Sequence, residues 1–232
     1  MDGMATTDPL IAEDVLLLLF DPRSGAIRAE GSPLFHTLAG AVLTELALQG
    51  RVETEERTLR RGQPVRAVAG PPADPLLRAT WERLEKRPAD VAALILEIGP
   101  RLRAAVIDRL VERGHLRREK RRFLGLIPTT ALVDGGTGRR EELLAAVRPV
   151  LVDGAEPDLR TGALAALLSA SDALPAMYKD IPWSGAVHTR GKKIQRGDWG
   201  AAAAGEAVTQ TAAAILTSSI FVTAVLPAIQ DD

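Results

Sequence analysis

The sequence predicts a mainly α protein in a single globular domain, with one β-hairpin. Three observations predict it. Hydrophobic residues make up 46% of the 232-residue chain but aromatics only 3%, so the core must be built from Leu, Ala, Val and Ile. Ala and Leu head the helix-propensity ranking. Apolar residues recur at three- and four-residue spacing in several windows, whereas residues 116–133 read as a hairpin. The length suits one large domain with a sizeable core. One domain is expected over 8–230, with residues 1–7 as a disordered N-terminus.

Residues 10–20, LIAEDVLLLLF, begin an apolar helix, and DPRSGAIR turns into a short extended piece. Ser32-Pro33 opens the next helix, with Ser32 as its N-cap and Pro33 at the first helical position. Leu34, Leu38, Val42 and Leu46 keep the helical period up to Gly50, a natural stop. Arg51–Glu55 alternates as a strand, and Pro64–Val68 returns beside it. Asp74-Pro75 caps a helix whose inner face is Leu77, Trp81 and Leu84. Pro88 and Pro100 bracket a short helix, VAALILEI, and a second helix runs from Pro100 to Arg113 before Gly114. After the hairpin, Gly135–Gly138 is a loop, helices occupy about 140–152 and 158–174, and 180–198 reads as a loop rich in Gly, Lys and Arg.

Residues 207–228, AVTQTAAAILTSSIFVTAVLPA, carry no charge and are long enough to cross a bilayer. Six Ser and Thr, Gln210 and the terminal Pro227 argue instead for a buried central helix over 207–226.

Chemistry is sparse. There is no Cys, so disulfides, thiolate metal sites and Cys nucleophiles are excluded. His36, His115 and His188 stand in unrelated segments, with no HExxH pattern and no GxSxG elbow. GGTGRR at 135–140 lacks the Lys-Ser/Thr end of a phosphate loop and reads as a plain turn. Glu13-Asp14 and Glu141-Glu142 fall in first helical turns, where the helix dipole accounts for them. No catalytic residue, metal site or cofactor is expected, and the protein is expected not to be an enzyme. The N-terminus, MDGMATTDP, has no positive n-region, so a cytoplasmic location is expected. Only five of the 29 basic residues are Lys, which points to a GC-rich, bacterial genome.

The formal net charge of -1 gives no global field for a polyanion. Locally, residues 101–122 hold Arg101, Arg103, Arg109, Arg113, Arg117, Arg118, Lys120, Arg121 and Arg122 against Asp108, Glu112 and Glu119. The planar fork of Arg suits phosphate. This run flows into FLGLIPTTALV, where Phe123, Leu124, Leu126 and Ile127 cannot all face a core from one strand. They are candidates for membrane or subunit contact. Cations beside an apolar tip are the arrangement of an interfacial membrane binder. An ordinary core strand or subunit contact fits the same pattern.

At these residues the chain resembles the Golgi phosphoprotein 3 family. LIAEDVLLLLFDPRSG is similar to its opening helix and turn, and LTELALQGRVETE to its second helix and strand. ADPLLRATWERLEK resembles a later capped helix, VIDRLVERGHLRREKRRFLGLIPTTALV the basic helix and hairpin, and LRTGALAALLSASDAL an Ala-Leu-rich helix. The resemblance covers most of 8–175. It implies a mainly α fold, a single globular helical bundle with surrounding amphipathic helices and a protruding β-hairpin, and binding of phosphatidylinositol 4-phosphate. The family's headgroup site combines a Trp, a second-helix Arg and two further Arg. Those positions fall near Ala29 or Glu30, at Ala39, at Pro100 beside Arg101, and at Arg103, which alone matches directly. Arg101 and Arg103 are therefore the expected headgroup-binding residues. The expected partners are an anionic membrane lipid and a second copy of the chain through the 116–133 hairpin, with no nucleic acid. The competing readings are a winged-helix-like DNA-binding module and a ligand-free scaffold.

Overall fold

The computed structural model describes residues 8–55, 62–123, 127–197 and 206–225. The segments 1–7, expected as a disordered terminus, and 226–230, at the end of the expected domain, lie outside them.

Three helices make the centre. α1 (Ile11–Leu19) is buried along its whole length. α2 (Ser32–Leu48) is buried almost all round from Leu34 to Ala47, because it carries no charge before Glu45 and small residues at Ala39, Gly40, Ala41 and Ala47. α6 (Leu159–Ala170) is buried from Gly162 onwards. Around them lie α3 (Pro75–Lys86), α4 (Val91–Glu112), α5 (Arg139–Arg148), α7 (Gly185–Gln195) and α8 (Glu206–Val225). A small antiparallel sheet, β1 (Val52–Thr54), β2 (Pro64–Ala67) and β3 (Ala89–Asp90), closes one side. The hairpin pairs β4 (Leu116–Phe123) with β5 (Ile127–Asp134), in register from Leu116↔Asp134 to Phe123↔Ile127. The mainly α class with a hairpin is therefore observed.

Several local expectations hold for the reasons given. The Asp74 side chain accepts from the Leu76 and Leu77 backbone N–H groups and starts α3, which buries Leu77, Trp81 and Leu84. Val52–Thr54 and Pro64–Ala67 pair antiparallel.

Others are corrected. Helix α4 is continuous through Pro100. Proline there forfeits one bond to the Leu96 carbonyl, but Leu96 and Pro100 lie on the exposed side, where water can take it. Gly99 faces inward, and a Cβ there would sit 2.7 Å from the Phe35 carbonyl oxygen, so α4 lies close on the start of α2. The N-cap of α2 is Gly31, at φ +91°, not Ser32. The glycine-rich 180–198 stretch is not all loop. The Ser184 side chain accepts from Val187 N–H at 3.2 Å and starts α7, which buries Val187 and Ile194. A Cβ at Gly191 would collide with Ser169 Oγ, so this glycine serves helix contact rather than a turn. Over its described side chains, 208–218, helix α8 is not buried all round as the expected central helix would be. It buries Thr211, Ala212, Ile215 and Leu216 while Gln210 and Thr217 are exposed, and it packs on α2, α4 and α6. Absence of charge is not apolarity, and Gln210 and Thr217 give this part of α8 an outer face. Among the described residues no helix is long and apolar enough to cross a membrane.

Candidate functional site

The basic run 101–121 sorts into inward and outward groups, set by where α4 and β4 point each side chain. Arg109 and Arg113, one turn apart near the end of α4, turn inward. Arg113 Nε donates to Glu13 Oε1 at 2.7 Å, and Arg109 reaches Glu13 Oε2 at 3.2 Å and Asp74 Oδ2 at 2.7 Å. Asp14 is held by Arg139 at 3.0 Å and Arg160 at 2.9 Å, and Arg160 also reaches Glu45 at 3.2 Å. Four carboxylates and four guanidinium groups thus tie α1, α2, α4, α5, α6 and the cap of α3 together. Burial pushes the Asp14 carboxyl up, although Arg160 and Arg139 oppose the shift. The helix dipole is therefore not the main reason for Glu13-Asp14: both are buried ion-pair partners, which no local pattern reveals.

The outward group is different. Arg101 is exposed and makes no ion pair among the described residues. Arg103 donates to Glu30 with both edges of its fork, Nε to Oε1 at 2.6 Å and Nη2 to Oε2 at 3.0 Å. Two positions apart on a helix, the two arginines project about 200° from one another, so the fold does not bring them together. Ala39, the other position aligned with a headgroup contact, is fully buried in α2.

On β4, Arg117, Arg118, Lys120 and Arg121 are all exposed. Successive side chains alternate, so both faces of the strand carry positive charge. Their cross-strand partners, Val133, Leu132, Thr130 and Thr129, are uncharged. Arg118 pairs with Asp108 of α4, Arg121 approaches Glu119 at 3.4 Å, and Arg117 reaches the Asp134 carbonyl at 3.4 Å. Leu124 and Leu126 lie outside the described residues, and for Phe123 and Ile127 the backbone alone is described, as the last pair of the hairpin.

A second ionic cluster was not legible in the sequence. Asp180 accepts from Arg140 at 2.7 Å and pairs with Arg28 at 3.5 Å and Arg23 at 4.0 Å, while Arg140 and Arg28 also donate to the Phe20 carbonyl. The two arginines of GGTGRR therefore both turn inward, Arg139 to Asp14 and Arg140 to Asp180. Gly138, at φ +75°, begins α5 as part of a turn.

The histidines stay apart. His36 is buried with Nδ1 unpartnered, His115 Nδ1 lies 2.8 Å from Thr137 Oγ1, and His188 stands against Trp183. Burial holds the His36 and His115 imidazoles below their ordinary range, and Arg139 and Arg113 add to the effect at His115. Among the described residues no group of His, Asp and Glu could hold a metal ion.

Compared with known protein families, residues 11–211 match the family model described as Golgi phosphoprotein 3 (GPP34). No curated protein matches the chain.

Proposed function

Because the chain belongs to the Golgi phosphoprotein 3 family, we propose that it acts as a peripheral membrane protein that binds anionic phospholipid headgroups and carries out no catalysis. The observation that carries this reading is the strand β4, with exposed Arg117, Arg118, Lys120 and Arg121 leading into the apolar FLGLIP sequence. Across 116–134 the sequence has five cations against two carboxylates. Each cation near an anionic bilayer contributes about 1 kcal/mol. The pairs Arg118–Asp108 and Arg121–Glu119 are exposed, and such pairs are worth less than about 1 kcal/mol, so phosphates can displace them. Apolar side chains of that sequence would enter the headgroup boundary beside the cations.

The Arg103–Glu30 pair limits headgroup specificity. The position corresponding to the family's Trp falls near Ala29 or Glu30, and the Glu30 carboxylate fills the Arg103 fork. A phosphoinositide of the phosphatidylinositol 4-phosphate type must displace Glu30 before Arg103 can take its phosphate. Binding here therefore rests more on the summed charge of the hairpin and Arg101 than on one shaped pocket.

Flotation with phosphatidylcholine vesicles, with and without phosphatidylserine or phosphatidylinositol 4-phosphate, tests the proposal. A gel shift with random duplex DNA under the same salt tests the DNA-binding alternative. Flotation on anionic vesicles alone, weakening with salt, supports the membrane reading. A DNA shift without flotation replaces it.

A further inference from the structure

We propose that the loop 178–183 is a second contact with the same lipid surface, made by Tyr178 and Trp183 seated among the headgroups. It rests on the membrane reading above and adds a site remote in sequence from the hairpin. The chain has only eight aromatic residues and a single tyrosine, yet two of them stand outward on this one loop. Tyr178 is 58% exposed and Trp183 40%. Neither is a loose end, because Met177 and Ile181, fully buried, pin the loop from inside.

The chemistry around the rings fits an anionic interface. Lys179 Nζ lies 5.9 Å from the Tyr178 ring centre, and Trp183 meets His188 edge to face at 5.8 Å. Asp180, the one carboxylate in the loop, is turned inward onto Arg140, Arg28 and Arg23. Lys179 and the largely exposed Arg23 stand at this surface, and the nearby Asp21 carboxylate is paired with Arg28 at 3.5 Å. Trp and Tyr prefer the membrane–water boundary because each has an apolar body and a polar edge.

The loop is also tied to the hairpin through a neighbouring segment. Arg28 joins Asp180 to the α1–α2 loop, residues 20–31. That same loop meets β5 at Gly25, where a Cβ would lie 2.6 Å from the Leu132 carbonyl oxygen, and holds Arg103 through Glu30. One short loop thus links the aromatic pair, the hairpin and Arg103. A second copy of the chain is the less favoured occupant. A two-fold contact centred here would set Lys179 and Arg23 against their own copies.

Trp183 is its own reporter. Trp81 is buried and donates to the Val68 carbonyl, so a Trp199→Phe chain leaves Trp183 as the exposed emitter among the described residues. With phosphatidylcholine–phosphatidylserine vesicles its emission is expected to shift to the blue and to be quenched by brominated acyl chains. Should Trp199→Phe fail to fold, the difference between wild-type and Trp183→Phe spectra gives the same signal. The Tyr178→Ser/Trp183→Ser chain, altered only at exposed positions, is expected to bind these vesicles about tenfold more weakly at unchanged Tm, since part of two large apolar side chains no longer leaves water. If the wild type floats while Trp183 emission is unchanged and the double variant floats equally well, the second contact is wrong and the hairpin reading stands. If the wild type does not float, both fall. A blue shift that grows with protein concentration in the absence of vesicles assigns the patch to a second copy and overturns the proposal.

Discussion

Glu13 in the first turn of α1 and Arg113 just beyond the end of α4 are 100 residues apart in the chain, and their Oε1 and Nε atoms lie 2.7 Å apart. Glu13 is fully buried and also accepts from the Leu10 backbone N–H at 2.9 Å, so one carboxylate starts a helix and anchors two arginines. Charge in the basic run is therefore partly spoken for by the fold, and only what remains can meet a ligand.

The substitution Glu13→Gln leaves Arg113 and Arg109 without their buried counter-charge. Breaking such a pair from one side typically costs about 3–5 kcal/mol, and the lower end is expected because Arg109 keeps Asp74. Denaturant unfolding should show a fall of about 3 kcal/mol, insensitive to salt. Arg103→Ala, which breaks only the exposed pair to Glu30, should change stability by less than about 1 kcal/mol. Equal effects from the two variants would mean that the buried network is not what holds the bundle.

Glu30→Ala is expected to strengthen binding to anionic vesicles, because it frees the Arg103 fork. The gain should be about fivefold, the equivalent of one surface cation. Arg103→Ala should weaken binding, Arg101→Ala/Arg103→Ala more so, and Glu30→Ala should have no effect once Arg103 is gone. An unchanged affinity in Glu30→Ala would remove Arg103 from the binding surface.

Two histidines make the fold sensitive to acid. Both His36 and His115 are held below the ordinary imidazole value of 6.5, first by burial. The unfolded chain then binds protons that the native chain does not, so stability falls as pH drops below 6.5 towards the folded values and levels off beneath them. The Tm should decline through that window, and His36→Gln should flatten the decline. A Tm that rises on acidification there would contradict the assignment.

Much of this architecture is legible in the sequence, and the exceptions are instructive. The Asp74 cap, the Leu77–Trp81–Leu84 face and the hairpin span follow from spacing within a few residues. Misread features depend on partners far along the chain. Pro100 ends a helix by local rules, yet Gly99 against Phe35 and the exposed setting of Leu96 let α4 run through it. Gly191 resembles loop composition until Ser169 is seen beside it. The same holds for the site. Exposure of the cations on β4 follows from a strand at the surface, but nothing local shows that Arg109 and Arg113 point at Glu13, or that Glu30 occupies Arg103.

The apolar hairpin sequence sets membrane entry against self-association. Replacing Leu126 and Ile127 by Ser removes side chains whose full burial is worth about 1.5–3 kcal/mol each. On the membrane reading, light scattering shows an unchanged mass while vesicle binding drops even at low salt. A fall in mass with binding retained assigns the tip to a subunit contact instead.

The most direct measurement of the central claim is flotation of Arg117→Ser/Lys120→Ser/Arg121→Ser beside the wild type, on phosphatidylcholine vesicles with and without phosphatidylserine. All three residues are exposed on β4, so the fold and Tm should be retained. The wild type should float only with the anionic vesicles, and less as salt rises. The variant should lose about 3 kcal/mol of binding, roughly a hundredfold, at about 1 kcal/mol per cation. Equal flotation of the two proteins, or wild-type binding that ignores the anionic lipid, would contradict the account.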